Sequence, residues 1–127
     1  MPDWKPGDPL PEAQNAQIDP KKFDEYSMNP NNPQNGGKWK AFEQIGYDVH
    51  TPQGRSTGAQ NLIEQLRLAL QNAPANQGKT STYGPRFVVN VEVEGPNGKK
   101  GTLVTTWQVD KDKSFPRLIT NWIEVNK

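Results

Sequence analysis

The sequence contains no cysteine and only one histidine among its 127 residues. Without cysteine there is no disulfide framework, no thiolate nucleophile and no zinc site built from thiolates. A single histidine excludes a ribonuclease that uses a pair of histidines. The phosphate-binding loop, HExxH, GxSxG and GxGxxG motifs are also missing. The absence of these residues therefore excludes most standard catalytic classes.

Apolar residues are scarce as well. They make up 31% of the chain, which is below the usual share for globular proteins and is enough for a small core only. No apolar run approaches the length of a membrane-spanning helix, and the N-terminus resembles neither a basic nor an apolar signal. We expect one domain and no membrane partner.

Charge is nearly balanced overall but unevenly distributed. The net charge is +1. Residues 1–37 carry a net charge of −3, residues 38–72 carry +1, and residues 79–127 carry +3. The basic excess therefore lies on the part of the chain with the clearest folding pattern. This distribution permits contact with phosphate groups without requiring it.

The last third of the chain has the pattern of an antiparallel sheet. Apolar and polar residues alternate over Phe87–Val93, Thr102–Val109 and Leu118–Val125, which is typical of half-buried strands. Gly95–Gly98 reads Gly-Pro-Asn-Gly and supplies the first turn, and Asp110–Pro116 supplies the second. Connections this short favour antiparallel neighbours, so we predict a three-stranded meander.

Three helices are predicted upstream of the sheet. Asp19 and Pro20 are suited to begin a short helix whose Phe23 and Tyr26 share a face. Lys38–Ile45 is predicted to be a second short helix. Thr57–Leu70 is the strongest helix, because Thr57 and Gln60 form a capping-box pattern. Its apolar residues form a single stripe: Ala59, Leu62, Ile63, Leu66 and Leu70.

These elements predict an α+β fold in which N-terminal helices pack on one face of a C-terminal antiparallel sheet. Residues 1–18 contain four prolines and no periodicity, so we interpret them as a linker or arm. Residues 19–127 form the single domain, within which residues 71–84 are a polar connection. The second face of the sheet is then free to hold a ligand.

Several side chains upstream of the sheet are candidates for a site. Lys38 and Lys40 flank the apolar face of the second helix, although they also fit a solvated helix surface. Arg55 precedes the predicted start of the long helix, where an arginine and free N–H groups can bind an anion; a surface arginine is the alternative. His50 with Asp48 could bind a metal, but a loop histidine is more often exposed to solvent, and we expect no metal.

The strands supply a second group of candidates. Thr105 and Trp107 lie in the middle of a strand, where threonine is common and tryptophan usually belongs to the core. Thr120 and Asn121 are more informative, because asparagine is disfavoured inside strands. Asn121 therefore has a hydrogen-bonding role, either structural or toward a substrate. The alternation places it on the side of the strand opposite Leu118.

Three stretches between Phe23 and Val125 carry recognisable motifs. They are FDEYSMNPNNPQNGGKWKAFEQIGYDV, GRSTGAQNLIEQLR, and the ending GPNGKKGTLVTTWQVD…PRLITNWIEV. In these motifs the chain resembles C-terminal toxin domains of bacterial polymorphic toxins, including contact-dependent growth inhibition effectors. A broader family of bacterial domains without assigned function shares a similar skeleton, which Gly37–Phe42 and Pro116–Thr120 match.

The resemblance implies a ribonuclease of the barnase–EndoU–colicin–RelE superfamily, in which helices pack on an antiparallel sheet and RNA binds its open face. Such toxins often cleave tRNA without a metal or other cofactor and are neutralised by a cognate immunity protein. The sequence leaves open whether a host protein factor is also needed. From the matching motifs the resemblance assigns catalytic roles to Lys40, Thr105, Trp107 and Thr120. Electrostatics adds Lys38 as catalytic and Arg55 as substrate-binding, with His50, Arg117 and Asn121 as further substrate-binding candidates.

The resemblance also implies secretion or cell-surface delivery within a larger effector, followed by action in the cytoplasm of a target cell.

A non-enzymatic binding module, such as an immunity-type protein, is the main alternative, and the small net charge is compatible with it. A DNase would need a cluster of carboxylates and a metal. The acidic residues that lie close enough together in the sequence for that role are explained equally well by a soluble protein surface: Glu92, Glu94, Asp110 and Asp112.

Overall fold

A four-stranded antiparallel sheet forms the C-terminal half of the structure, a computed structural model that describes residues 4–79 and 81–125. Its strands are β1 (Ala75–Gln77), β2 (Arg86–Glu94), β3 (Lys100–Val109) and β4 (Pro116–Val125), in the order β1-β2-β3-β4. The three predicted strands are present as β2, β3 and β4. The helices precede this sheet and pack on one of its faces, which confirms the predicted α+β class.

Strand β1 was not predicted, because residues 71–84 had been interpreted as a polar connection throughout. Its three residues pair with β2 so that Ala75 lies opposite Val89 and Gln77 opposite Phe87. Asparagine and glutamine have little strand preference by themselves. Pairing with the long strand β2 stabilises an extended conformation that the local sequence does not favour.

A β-bulge in β4 changes which residues share a face. Trp107 pairs with Leu118, but the preceding residue Thr106 pairs with Thr120, so Ile119 is the extra residue on β4. Because one extra residue shifts the alternation of side chains, Leu118 lies on the same face as Asn121. The prediction that these two residues lie on opposite faces is therefore wrong.

Helix α2 (Pro52–Leu70) covers the sheet and begins five residues before its predicted start at Thr57. Thr51 is the N-cap residue, and its hydroxyl accepts a hydrogen bond of 2.9 Å from the Gly54 N–H. Pro52 at the first helical position has no N–H to leave unpaired. The predicted stripe is confirmed, since four of its members are fully buried and Ile63 is half-buried. Among residues 4–79 and 81–125, no helix is long and apolar enough to cross a membrane.

Two shorter helices pack against β4, and the one earlier in the chain also packs against α2. Helix α1 (Trp39–Gln44) buries Phe42, and the π-helix Lys22–Ser27 buries Phe23. The core lies between these helices and the apolar face of the sheet, where Trp107 and Phe87 are also buried. The π-helix places Tyr26 at the edge of β4, while Phe23 is buried in the core, so the two aromatic residues do not share one face as predicted.

The described part of the N-terminal segment, residues 4–18, packs against the fold. Leu10 is only 3% exposed. Trp4 packs edge-on against Phe87 with ring centroids 5.0 Å apart. Gln17 forms a parallel bridge with Arg117 at the edge of β4. The domain boundary at residue 19 stays a prediction, but these contacts make residues 4–18 a docked arm.

Candidate functional site

The face of the sheet that the helices leave uncovered carries a row of polar and aromatic side chains on β3 and β4. Thr106 pairs with Thr120, and two residues further along β4 Val104 pairs with Trp122. Alternation along a strand puts Thr120 and Trp122 on the same face. Both are partly exposed, so this row can be reached by a ligand from the β4 edge.

Tyr26 and Lys38 reach this row from the helical layer. The Lys38 ammonium donates a hydrogen bond of 3.0 Å to the Tyr26 hydroxyl. The same ammonium lies 5.0 Å from the Tyr26 ring centroid and 5.6 Å from the Trp122 ring centroid. These distances are within the range of cation–π attraction. Two aromatic rings and one hydroxyl therefore hold the Lys38 charge beside β4.

This arrangement changes the acidity of Tyr26. The hydrogen bond from Lys38 lowers the pKa of the Tyr26 phenol below its ordinary value, and burial opposes this effect. Contact with the Thr120 hydroxyl and the charges of Lys38 and Lys22 lower the pKa further. At a given pH a larger fraction of such a phenol is ionised than of an isolated tyrosine, so more of it is present as the phenolate that can accept a proton.

The two threonine hydroxyls of the row differ in their partners. The Thr106 hydroxyl accepts a 3.2 Å hydrogen bond from the Thr120 backbone N–H. The Thr120 hydroxyl is buried, and no side chain or backbone group of the described residues makes a hydrogen bond to it that satisfies standard geometry. Its proximity to the Tyr26 hydroxyl nevertheless contributes to the low pKa of Tyr26. The Thr120 hydroxyl thus has unused hydrogen-bonding capacity beside Tyr26, although it is covered from solvent in this conformation.

A cavity of about 600 Å³ opens next to these groups. Its walls include Tyr26 and Thr120 together with Lys21, Lys22 and Glu25. Because Asp19 also lines it, the cavity combines a tyrosine of lowered pKa, the Thr120 hydroxyl, two lysines and two carboxylates. Such groups can move a proton and stabilise a developing negative charge. Across residues 4–79 and 81–125, no three His, Cys, Asp or Glu side chains are grouped so that they could bind a metal ion.

Lys38 and Thr120, which were predicted from the sequence, are brought together by the structure. Lys40 is nearby but does not touch Tyr26. Its ammonium lies 5.8 Å from the Trp39 ring centroid, and it lines a second cavity with Lys38 and Trp122.

Thr105 and Trp107 are fully buried on the covered face of the sheet. The Thr105 hydroxyl donates to the Val89 carbonyl at 2.8 Å, and the Trp107 indole N–H donates to the Thr105 hydroxyl at 2.8 Å. Neither side chain is accessible to a substrate in this structure, where both make structural contacts; their catalytic role stays a prediction.

Asn121 is also buried on the covered face. Its amide accepts a hydrogen bond of 2.7 Å from the Ser27 hydroxyl and donates one of 3.1 Å to the Lys22 carbonyl. The sequence predicted a hydrogen-bonding role for Asn121, either structural or toward a substrate. Both contacts of Asn121 in this structure are structural, and its substrate-binding role stays a prediction.

The other predicted substrate-binding residues are engaged elsewhere. Arg55 lies within the first turn of α2 and donates to the backbone carbonyls of Asp24 and Val49 at 2.9 and 2.8 Å. The His50 imidazole contacts the Glu43 carboxylate and packs edge-on against Trp39. The structure does not bring either residue to the Tyr26 cavity.

Arg117 lies on the uncovered face, but it is held by a carboxylate. Its guanidinium donates to Asp110 at 2.8 Å. Hydrogen bonds from Arg117 and Gln108 hold the pKa of Asp110 below its ordinary value, although burial opposes them. Asp110 is thus a partner of the predicted substrate-binding arginine, and it competes with any phosphate for the guanidinium.

Sequence reasoning missed Tyr26 and Trp122 as site residues. The spacing of Phe23 and Tyr26 predicts only a shared helix face, and the pattern around Trp122 predicts only an alternating strand. A signal for Tyr26 was present, because it lies in the first of the three motif stretches, FDEYSMNPNNPQNGGKWKAFEQIGYDV.

A sequence model of one family, described as "Domain of unknown function (DUF6883)", matches residues 9–125. No curated protein sequence matches the chain. Among solved structures, the fold is similar to a chain from a "Contact-dependent growth inhibition toxin - immunity protein complex" of Klebsiella pneumoniae 342. The TM-score is 0.59 and the identity 21%, over 90% of this chain and 97% of the other. At this identity the likeness shows a shared fold.

Proposed function

We propose that this chain, which belongs to the DUF6883 family, is the toxin of a toxin–immunity pair and acts as a metal-independent endoribonuclease. The observation that carries the proposal is the 3.0 Å hydrogen bond between the Lys38 ammonium and the Tyr26 hydroxyl, beside the Thr120 hydroxyl. A second support is the shared fold with a chain of a toxin–immunity protein complex.

The reaction is transfer of the RNA phosphodiester to its own 2′-hydroxyl. The Tyr26 phenolate takes the proton of the 2′-hydroxyl, whose oxygen forms a bond to phosphorus while the bond from phosphorus to the 5′-oxygen breaks. The Lys38 ammonium gives a proton to the leaving 5′-oxygen. Lys22 and the Thr120 hydroxyl stabilise the phosphorane charge. A proton then passes from Tyr26 to Lys38 along their hydrogen bond and restores both groups.

The products are a 2′,3′-cyclic phosphate and a 5′-hydroxyl, and the reaction needs no metal. The proposed substrate is tRNA, and the proposed partner is a cognate immunity protein. We also propose that the domain is delivered as part of a larger effector and acts in the cytoplasm of the target cell.

The test is induced expression of residues 1–127 in bacteria without any partner gene, followed by a denaturing gel of total RNA. We expect growth arrest with discrete RNA fragments that end in a 2′,3′-cyclic phosphate. Tyr26→Phe and Lys38→Gln should abolish both effects while leaving the circular dichroism spectrum unchanged. Lys99→Gln is the matched control, because Lys99 is exposed in the turn after β2, away from the Tyr26 cavity. Growth arrest with intact RNA would disprove ribonuclease activity.

The second candidate function is a non-enzymatic binding module, including an immunity-type protein. The net charge of +1 is modest for a protein that binds RNA, and the fold is shared with a chain of a complex whose description covers both partners. Healthy cells with intact RNA in the same experiment would favour this alternative.

A further inference from the structure

A second cavity, of about 620 Å³, lies along the edge of β4 beside the first one. Its lining includes two lysines, one tryptophan, one amide and a backbone segment without a side chain: Lys38, Lys40, Trp122, Gln44 and Gly37. Lys38 connects the two cavities, because its ammonium contacts Tyr26 of the first cavity and the Trp122 ring of the second.

We propose that the second cavity is a nucleotide subsite in which a base of single-stranded RNA stacks on Trp122 and its phosphate is bound by Lys40. The inference rests on the proposed ribonuclease function and specifies its substrate. The RNA chain would pass over Lys38, with one nucleotide in each cavity and the scissile phosphate between them.

The residues of this cavity fit that occupant. Proteins bind single-stranded nucleic acid by combining a cationic groove with aromatic side chains on which the bases stack. Trp122 is fixed by its position in β4 opposite the nearly buried Val104, while part of its side chain stays exposed. Lys40 is exposed and lies on the same cavity wall as Lys38.

The opening of the cavity is also unobstructed. A side chain built on Gly36 or Gly37 would meet no atom within 4 Å. A base can stack on Trp122 only when it is unpaired, because a paired base is held inside the RNA double helix. The subsite therefore selects unpaired segments such as loops.

Kinetics with a single-stranded octaribonucleotide that spans the mapped cleavage site test the inference. Trp122→Leu should raise KM about 10-fold, and Trp122→Phe, which keeps an aromatic ring, should raise it less than about 3-fold. Lys40→Gln should raise KM about 3-fold with kcat unchanged. Lys99→Gln serves as the control and should leave both constants unchanged.

Binding is measured separately with a pool of 2′-O-methyl octaribonucleotides of random sequence, which cannot be cleaved through the 2′-oxygen. We expect the pool to quench tryptophan fluorescence in the wild-type chain and to lose this quenching in Trp122→Phe. Cleavage by the wild type with an unchanged KM in Trp122→Leu and Lys40→Gln would overturn the subsite and leave the ribonuclease intact. Binding that requires Trp122 and Lys40 in a chain that does not cleave RNA would support the subsite and overturn the ribonuclease.

Discussion

Ser27 and Asn121 are separated by 94 residues in the sequence and are joined by a buried hydrogen bond of 2.7 Å. The Asn121 amide also donates to the Lys22 carbonyl at 3.1 Å. Lys22 and Ser27 are the first and last residues of the π-helix that carries Tyr26. A single asparagine of β4 therefore fixes both ends of the turn that presents the tyrosine of the proposed site.

Replacing Asn121 should lower stability and disturb the site together. Asn121→Leu removes both hydrogen bonds from β4 to the π-helix and leaves only the 3.1 Å bond from the Ser27 hydroxyl to the Lys22 carbonyl, which should lower the free energy of unfolding by about 2 kcal/mol. Urea unfolding of Asn121→Leu, Ser27→Ala and the double variant measures the coupling between the two residues. If the losses in the free energy of unfolding of the two single variants add up to the loss in the double variant, the hydrogen bond between Ser27 and Asn121 contributes nothing to stability.

Lys38 should control the titration of Tyr26. Lys38→Gln removes the main cause of the lowered pKa, so the pKa of Tyr26 should rise in this variant. The measurement is the ring-carbon NMR shift of labelled tyrosine against pH, with Tyr26→Phe used to assign the signal. Because the proposed base is the phenolate, any residual activity of Lys38→Gln should increase only at higher pH than in the wild type. An unchanged Tyr26 titration would contradict this electrostatic coupling.

Thr105 should matter for stability and leave catalysis unaffected. Thr105→Val removes the hydroxyl that accepts from the Trp107 indole and donates to the Val89 carbonyl. The lost hydrogen bonds should lower the free energy of unfolding by about 1–3 kcal/mol. Thermal unfolding measures the loss, and RNA cleavage per folded molecule should stay unchanged. A lower kcat of Thr105→Val, measured at a temperature at which the variant is folded, would restore Thr105 as a catalytic candidate.

Gly95 should tolerate no side chain. A Cβ atom at this position would overlap the Ile45 carbonyl oxygen well inside van der Waals contact. Because a backbone atom cannot rotate away, Gly95→Ala should lower the free energy of unfolding by about 3 kcal/mol. The matched control is Gly98→Ala in the same turn, where nothing lies within 4 Å and φ is +83°. The control should cost only about 1 kcal/mol, and similar losses in urea unfolding would contradict the proposed overlap.

Stability should fall in alkali because of Tyr47. Burial raises the pKa of Tyr47 from 10.0 to about 12. Between these two values the unfolded chain loses the phenolic proton while the folded chain keeps it, so stability falls as pH rises. The stabilisation lost should be on the order of 2 kcal/mol. Urea unfolding at pH 9.5 and 11.5 measures the loss, and Tyr47→Phe, which has no phenolic proton, should show a smaller decrease.

The β2–β3–β4 meander and the apolar stripe of α2 could be predicted from the sequence, because both follow from a local period of side chains. Strands alternate every second residue, and the stripe repeats at helical spacing, so a short window of sequence is sufficient. Gly95–Gly98 likewise contains its own turn signal. These features need no information from distant residues.

The start of α2, strand β1 and the face of Leu118 could not be predicted in this way. Thr51 and Thr57 are both suitable N-cap residues, and the residues between them can be helical or extended. Strand β1 exists because β2 pairs with it. The bulge at Ile119 depends on the register between β3 and β4. Each of these features is decided by a partner element and not by local preference.

The sequence by itself identified Lys38 and Thr120 as candidates, because their residue types and motifs suit an anionic substrate. Only the tertiary structure brought them to Tyr26 and Trp122 and moved Thr105, Trp107 and Asn121 out of the proposed chemistry. The physical reason is that reactivity depends on burial, on distance and on which face of a strand a side chain occupies. Contacts between residues far apart in the sequence set all three, and local periodicity does not contain them.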